Sequence, residues 1–370
     1  MTANARAVTL ENFDAAPTLR EFEVQPPADG QLGVAVECGG ICGTDLHLSA
    51  GHLPVPLPIV LGHEGLGIVD EIGPGAEVDA LGTALHPGDR VMWASSIACG
   101  VCAPCRQHRE PTLCESRKTY GVNRTATLDM APTGAWADYI ALHPGTTVVA
   151  IPDALDTFTA MSLACAGPTL VHALYERRPV RLGETVIVQG CGPVGLAAAA
   201  MAQLSGASLV VLVGGPKQRL DIAAMCGIGD HHLNIIDEPN PGEVLESART
   251  LTGGTGADLV IECTGVPSAV AEGMNLVRRG GSYLIIGQYT DAGETSINPH
   301  RIVHHQLDVV GSWAFSGAHL VEYVRLLPVL SQRFNLAPLV TAFPLEKHAE
   351  AMSAVSAGTV LKAVLTTGAR

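Results

Sequence analysis

"ETVIVQGCGPVGLAAAAMAQLSG" runs from Glu184 to Gly206 and decides the fold. "TVIVQ" is a β-branched apolar run, and "PVGLAAAAMAQLSG" is an alanine-rich helix opened by proline. Between them Gly190, Gly192 and Gly195 spell G-x-G-x-x-G. The first glycine permits a tight turn, the second lets a pyrophosphate approach the backbone, and the third lets helix and strand pack closely. Pro193 and Val194 open the helix, whose free N–H groups and positive dipole face the phosphates. Alone the pattern is a weak signal. Inside a strand–turn–helix unit it predicts a dinucleotide site.

The alternation continues outward. "SLVVLVG", "HHLNI", "ADLVIECTG", "SYLIIG" and "LDVVGSW" read as strands. "PKQRLDIAAMCG", "GEVLESARTLTGG" and "SAVAEGMNLVRRGG" read as the helices between them. Near-continuous apolar strands alternating with helices predict a parallel sheet buried on both faces, an α/β doubly wound arrangement. Upstream lies a patchwork of short strands, "QLGVAVECGG", "LGIVDEIG", "GDRVMW" and "WADYIAL", broken by Gly and Pro. Downstream, helices are expected near "GAHLVEYVRLLPVLSQ" and "LEKHAEAMSAVSAG", with Pro328 kinking or ending the first. "LKAVLTT" then reads as a strand returning to the N-terminal part.

The chain has 370 residues, so two domains are the default. No run of about 18 uncharged apolar residues predicts a membrane span. Glu11 and Asp14 interrupt the place of a secretory apolar core, and a cytoplasmic protein is expected. A net charge of −14 makes nucleic acid a poor partner.

Four of the ten cysteines, Cys99, Cys102, Cys105 and Cys114, crowd into "CGVCAPCRQHREPTLC". Such a crowd in a reducing compartment reads as a metal site rather than as disulfides. Four thiolates close a tetrahedron around Zn²⁺ and leave no position for substrate, so the site is structural. Cys42, His63 and Cys165 are dispersed over "GGICGTDLH", "LGHEGLG" and "LACAGPTL". Two thiolates and an imidazole would leave a fourth position open, the pattern of a catalytic zinc. Spacing alone does not link them, and a solitary Cys or His is commonly buried filler.

The chain resembles the zinc-dependent medium-chain dehydrogenases, best known as alcohol dehydrogenases, over nearly its whole length. "GICGTDLH", "GHE", the four-cysteine cluster and "GCGPVG" stand in that family's order, and Cys165 precedes the glycine loop by 25 residues as its third ligand does. The resemblance implies a GroES-like catalytic domain over 1–166, a Rossmann domain over 167–312, and a segment 313–370 completing the first. It implies a catalytic zinc on Cys42, His63 and Cys165, with Glu64 beside the metal and Asp45 orienting groups around it, and a structural zinc on the four clustered cysteines.

The implied reaction is reversible hydride transfer between an alcohol and NAD(P), forming an aldehyde or ketone. Thr44 and His47, two and five residues past Cys42, take the positions of a proton path through the cofactor ribose. Trp93, Ser95, Tyr120 and Trp136 fall near positions lining the family's substrate pocket, which suits a secondary or cyclic alcohol. Ile286 and Lys362 fall on the cofactor side, Lys362 toward the pyrophosphate. Polyol and threonine dehydrogenases share the scaffold but often carry Glu as third ligand, so Cys165 favours the alcohol class. A non-catalytic zinc-stabilised binding protein would need a damaged catalytic set, and every element is present. A homodimer or homotetramer follows from the resemblance.

One feature departs from the pattern. The strand after the glycine loop ends in Gly214-Gly215 where an acid usually holds the adenosine ribose. Pro216 opens the next helix, and Lys217 and Arg219 follow. The bar to a 2′-phosphate is absent, and the expectation is weak discrimination, within about 100-fold, with NAD slightly ahead of NADP.

Overall fold

The computed structural model describes residues 3–13, 15–127 and 132–368; Asp14 lies outside them. The chain divides into two compact units, residues 1–165, 315–327 and 340–370, and residues 166–314 and 328–339. The tail is therefore shared differently from the sequence reading, since 328–339 clusters with the second unit. There the backbone N–H of Asn335 donates to the Cys226 carbonyl, and Phe334 and Leu336 are buried.

In the second unit, six parallel strands lie in the order His231–Asn234, Leu209–Gly214, Thr185–Gln189, Ala257–Glu262, Val277–Ile285, Asp308–Gly311. The order reverses beside Thr185–Gln189, and that switch point is where open α/β sheets bind ligands. The inner strands are apolar because both of their faces are covered. Val186, Ile187, Val188, Val210, Val211 and Leu212 have no exposed surface. Helix Pro193–Leu204 begins on Gly192, in extended conformation, with Pro193 at its first position. Ala197 to Ala202 are buried around its whole circumference.

Two expectations need correction. The helix read through "VRRGG" ends at Leu276, and strand Val277–Ile285 starts there. Val277 pairs with Ala257 and packs in the core, so the ladder and not the helix takes it. Pro328 does not end its helix, which spans Gly317–Arg333. Leu327 and Leu330 on either side of it have no exposed surface, and their burial offsets the one lost N–H bond.

In the first unit, strand Leu32–Gly40 is the hub of a seven-stranded sheet and pairs with Gly65–Ile72, Tyr139–Leu142 and Lys362–Thr366. The C-terminal strand Lys362–Thr366 thus joins the N-terminal sheet, as its apolar run indicated. A three-stranded sheet built on the hairpin Ala3–Leu10 and Thr18–Val24, not read from the sequence, lies in the same unit. The ends of Leu32–Gly40 and the start of Gly65–Ile72 carry the candidate metal ligands into the interior.

Candidate active site

Cys42 caps helix Gly43–Ser49 in extended conformation, and Asp45 stands three positions into it. One oxygen of Asp45 accepts the Cys42 backbone N–H at 2.8 Å, which closes the first turn as a capping box. The other oxygen lies 3.3 Å from Nδ1 of His63. A single carboxylate, 0% exposed, therefore sets the positions of two expected ligands. Nε2 of His63 is buried and makes no hydrogen bond among the described residues.

Ligand atoms of Cys42, His63, Glu64 and Cys165 all lie within 4.8 Å of one another. A hydrogen bond shared with Cys165, then the His63 imidazole, holds the Cys42 thiol well below its ordinary value. The same shared bond, followed by burial, pushes Cys165 up. Two sulfurs, one already favouring its thiolate, and a buried imidazole nitrogen with no proton partner form a donor set that fits Zn²⁺.

Glu64 sits beside them, 3% exposed. Its Oε2 is ion-paired with Nζ of Lys362, which also donates to the Ile41 carbonyl at 3.4 Å. Its Oε1 is buried without a partner among the described residues, 3.9 Å from His63 Nε2. Lys362, expected at the pyrophosphate, is committed instead to this buried pair. Burial lowers its pKa, but the Glu64 charge outweighs that and the ammonium ends above its ordinary value.

The four clustered cysteines also converge, their sulfurs within 4.8 Å of one another. Cys99 Sγ accepts backbone N–H bonds from Val101 and Cys102 at 3.5 and 3.4 Å, and Cys114 Sγ accepts from Cys99 at 3.2 Å. Those N–H groups hold Cys99 down to about 6. Loss of hydration, then Cys102, pushes Cys105 up to about 12. Backbone donors aimed at sulfur are the outer support that a thiolate–metal centre needs.

Thr44 Oγ1 lies 3.9 Å from Cys42 Sγ. His47 Nδ1 lies 3.2 Å from His52 Nδ1. Burial first, and the charge of His52 second, lower the His47 pKa below 6.5.

The expected pocket residues divide. Trp93 packs against Gly65, next to Glu64, and its indole Nε1 is buried without a partner among the described residues. Ser95 is buried, with its hydroxyl 3.5 Å from that of Ser96. Tyr120 and Trp136 are core residues in the structure, each 0% exposed. The Tyr120 hydroxyl contacts Thr146 and accepts the His143 N–H, both at 2.7 Å, and the Trp136 indole donates to the Gly40 carbonyl at 2.9 Å. Their polar handles are used by the fold, which explains why aromatic rings rich in surface are enclosed there.

The glycine loop has the geometry its spacing implies. Gly190 has φ +103°, a conformation that favours glycine. A Cβ on Gly195 would stand 1.9 Å from the Gly190 carbonyl oxygen, whereas one on Gly192 would meet open space. The loop is closed on its packing side and open at the helix N-terminus, where backbone N–H groups can meet an anion. The Ile286 backbone N–H donates to the Glu262 carbonyl at 3.0 Å. Glu262, 0% exposed, accepts from Thr264 and Gly265 N–H groups and from Gly287, and so ties the ends of two neighbouring strands together. Sequence reasoning missed it, although an acid closing an apolar strand is a visible signal.

At the turn after the second strand, no side chain fits. A Cβ on Gly214 would lie 2.7 Å from Cys191 Sγ, and one on Gly215 would lie 2.5 Å from Ile236 Cγ1. Lys217, expected to add charge for a phosphate, bonds both oxygens of Asp221 at 2.6 and 2.7 Å. Burial pushes the Cys191 thiol up, and the Arg219 charge nearby opposes that rise in part.

The alcohol dehydrogenase GroES-like domain model matches residues 28–153, and the zinc-binding dehydrogenase model matches residues 193–329. A curated relative, 5-exo-hydroxycamphor dehydrogenase of Pseudomonas putida, is 31% identical over 363 residues, 98% of this chain and 98% of its own. An alcohol dehydrogenase structure from Thermotoga maritima aligns with a TM-score of 0.91 and 33% identity, covering 98% of this chain and 99% of that one. A zinc-binding dehydrogenase structure from Sinorhizobium meliloti, bound to NADP, aligns with a TM-score of 0.84 and 27% identity over 99% and 100% of the two chains. The fold and its cysteine and histidine clusters are thus those of a zinc-type oxidoreductase. The chain belongs to the zinc-dependent medium-chain dehydrogenase/reductase family.

Proposed function

We propose that this protein oxidises a secondary, cyclic alcohol to its ketone, reversibly, with NAD as hydride acceptor. The observation that carries the reading is the convergence of Cys42, buried His63 and Cys165, with Thr44 and His47 on the helix that Cys42 opens. When bound, zinc supplies Lewis acidity at an open fourth position, and the nicotinamide supplies the hydride acceptor. The protein's own groups do the rest. Thr44 holds the substrate hydroxyl, and His47 passes its proton toward solvent. Glu64 keeps a buried carboxylate oxygen beside the ligands, and the loop Gly190–Gly195 holds the pyrophosphate. In this reading the catalytic residues belong to the unit 1–165, 315–327 and 340–370, and the dinucleotide to the unit 166–314 and 328–339. Trp93, whose ring packs against Gly65 beside Glu64, is the residue proposed for the pocket wall. Similarity to an enzyme named for hydroxycamphor supports a bulky cyclic substrate.

A panel of primary, secondary, cyclic and polyol substrates, read as growth of reduced-nicotinamide absorbance, tests this. The highest kcat/KM is expected for a cyclic secondary alcohol, on protein carrying both zincs. Metal at the four-cysteine lobe alone, or a polyol or threonine as best substrate, overturns it.

His47 accepts a proton only when neutral. Its lowered pKa means that it loses this ability as pH falls through a value below 6.5. His47→Gln is expected to cut alcohol oxidation by roughly 10²-fold near neutral pH, and less both in acid, where the wild-type imidazole is itself protonated, and at high pH, where hydroxide takes over the proton. Zinc content should not change. An equal loss at every pH would remove His47 from the path.

We also infer two or four copies per particle, joined at the edge strand Asp308–Gly311. Among the described residues this strand pairs only with Val277–Ile285, and Val309 is 41% exposed. Light scattering that returned a single copy would overturn this. Thiols gathered as metal ligands support a reducing compartment, the cytoplasm.

A further inference from the structure

We propose that Asp237 selects between the two nicotinamide dinucleotides, accepting the adenosine 2′-hydroxyl and repelling a 2′-phosphate. This rests on the reading that the loop Gly190–Gly195 holds a dinucleotide.

The usual place for a ribose-binding acid, the end of the second strand, is sterically shut. At Gly214 the obstacle is the backbone nitrogen and sulfur of Cys191, at 2.8 and 2.7 Å from a built Cβ. At Gly215 it is Asn234, the last residue of the neighbouring strand His231–Asn234, and Ile236 in the segment that follows it. The Ile235 N–H donates to the Gly214 carbonyl at 2.8 Å and fastens that segment to the turn.

The same segment delivers a carboxylate. Asn234 Oδ1 accepts the N–H groups of Ile236 and Asp237 at 3.1 and 3.2 Å, and folds the chain back. Asp237 Oδ2 then accepts the Lys217 backbone N–H at 3.1 Å and the Asn234 side-chain N–H at 2.6 Å. Lys217 is the first residue of helix Lys217–Met225, so the anion-attracting end of this helix already carries an anion. Asn234, then the Lys217 N–H, hold Asp237 below its ordinary value, and it is ionised at neutral pH. Its second oxygen, Oδ1, makes no hydrogen bond among the described residues and is open to a hydroxyl donor.

The neighbouring charges point the same way. The Lys217 ammonium is taken by Asp221. Glu238 and Glu243 line a cleft of about 540 Å³ together with Lys217, Asp221 and Asn234, a lining with more carboxylates than ammonium groups that does not include Asp237 itself. Arg219 opposes them, and its charge is felt at the Cys191 thiol. A 2′-phosphate would have to displace Asp237 or sit against it. A 2′-hydroxyl needs only to donate to it.

The test is the binding of NADH and NADPH to the zinc-loaded protein, read by energy transfer from tryptophan to the nicotinamide. Wild type is expected to bind NADH more tightly, with the gap narrowing as salt screens the exposed charge. Asp237→Asn keeps an acceptor oxygen and removes the charge. It should lower the ratio Kd(NADPH)/Kd(NADH) by about tenfold, mostly through tighter NADPH. Asp221→Asn, which frees the Lys217 ammonium, should move the ratio the same way. A ratio unchanged within about twofold in Asp237→Asn, with both dinucleotides still bound, overturns the role of Asp237. Failure of the wild type to bind either dinucleotide overturns the functional reading itself.

Discussion

Cys42→Ser is expected to remove one zinc ion per chain and to lower turnover about 10³-fold, equivalent to about 4 kcal/mol of transition-state stabilisation. The serine hydroxyl is nearly isosteric, but it does not ionise at neutral pH. The thiolate character that Cys165 and His63 create at Cys42 is lost with the sulfur. The helix should survive, because Asp45 still accepts the backbone N–H of residue 42. Metal loss would then be separable from misfolding, with circular dichroism unchanged while elemental analysis shows the deficit. Asp45→Asn is the milder companion. It keeps the cap but weakens the bond to His63, and is expected to cost about 10- to 100-fold in metal affinity. Retention of both zincs with turnover within tenfold of wild type in Cys42→Ser would dissolve the assignment. Cys102→Ser provides the contrast. It should lower zinc content and thermal stability, and it touches none of the reacting groups.

Lys362→Met is expected to destabilise the protein by about 3–5 kcal/mol, because it leaves the Glu64 carboxylate buried and unpaired. Glu64→Gln with Lys362→Met should recover most of that, since the double variant leaves no buried charge. The deficit should also depend on pH. Burial pushes the Glu64 pKa above 4.5, opposed chiefly by the Lys362 charge. Without that charge the carboxyl rises further in the folded state than in the unfolded one. The folded protein then holds the extra proton, so its stability falls as pH rises from about 4.5 through the new value. Unfolding midpoints of the single variant should approach wild type in acid and diverge toward neutrality. A loss below about 1 kcal/mol at neutral pH, or a deficit independent of pH, would show that the pair is not the buried ion pair described.

The legibility of this site follows the range of its contacts. The glycine loop was readable because each glycine answers to a neighbour a few residues away, as the 1.9 Å approach of a Gly195 Cβ to the Gly190 carbonyl shows. The four-cysteine lobe was readable for the same reason, with all four ligands inside one short loop. Cys42, His63 and Cys165 were linked by resemblance to a family, because residues so far apart carry no mutual signal in spacing. Tyr120 and Trp136 were read as pocket residues because an aromatic looks alike in a core and at a wall. Their hydrogen bonds to Thr146 and Gly40 decide the matter in three dimensions.

The sequence by itself determined the strand–helix alternation, the glycine turn, the two sulfur-rich motifs and the acidic surface. These depend on side-chain period, backbone conformation and local spacing, all written along one stretch of chain. Tertiary structure alone decided that Lys362 serves Glu64, 298 residues away. It alone decided that Gly214 is closed by Cys191, and that a carboxylate reaches the helix end from the next strand over. A buried charge takes whatever counter-charge the fold brings to it, and a turn admits only the side chains its packed neighbours leave room for.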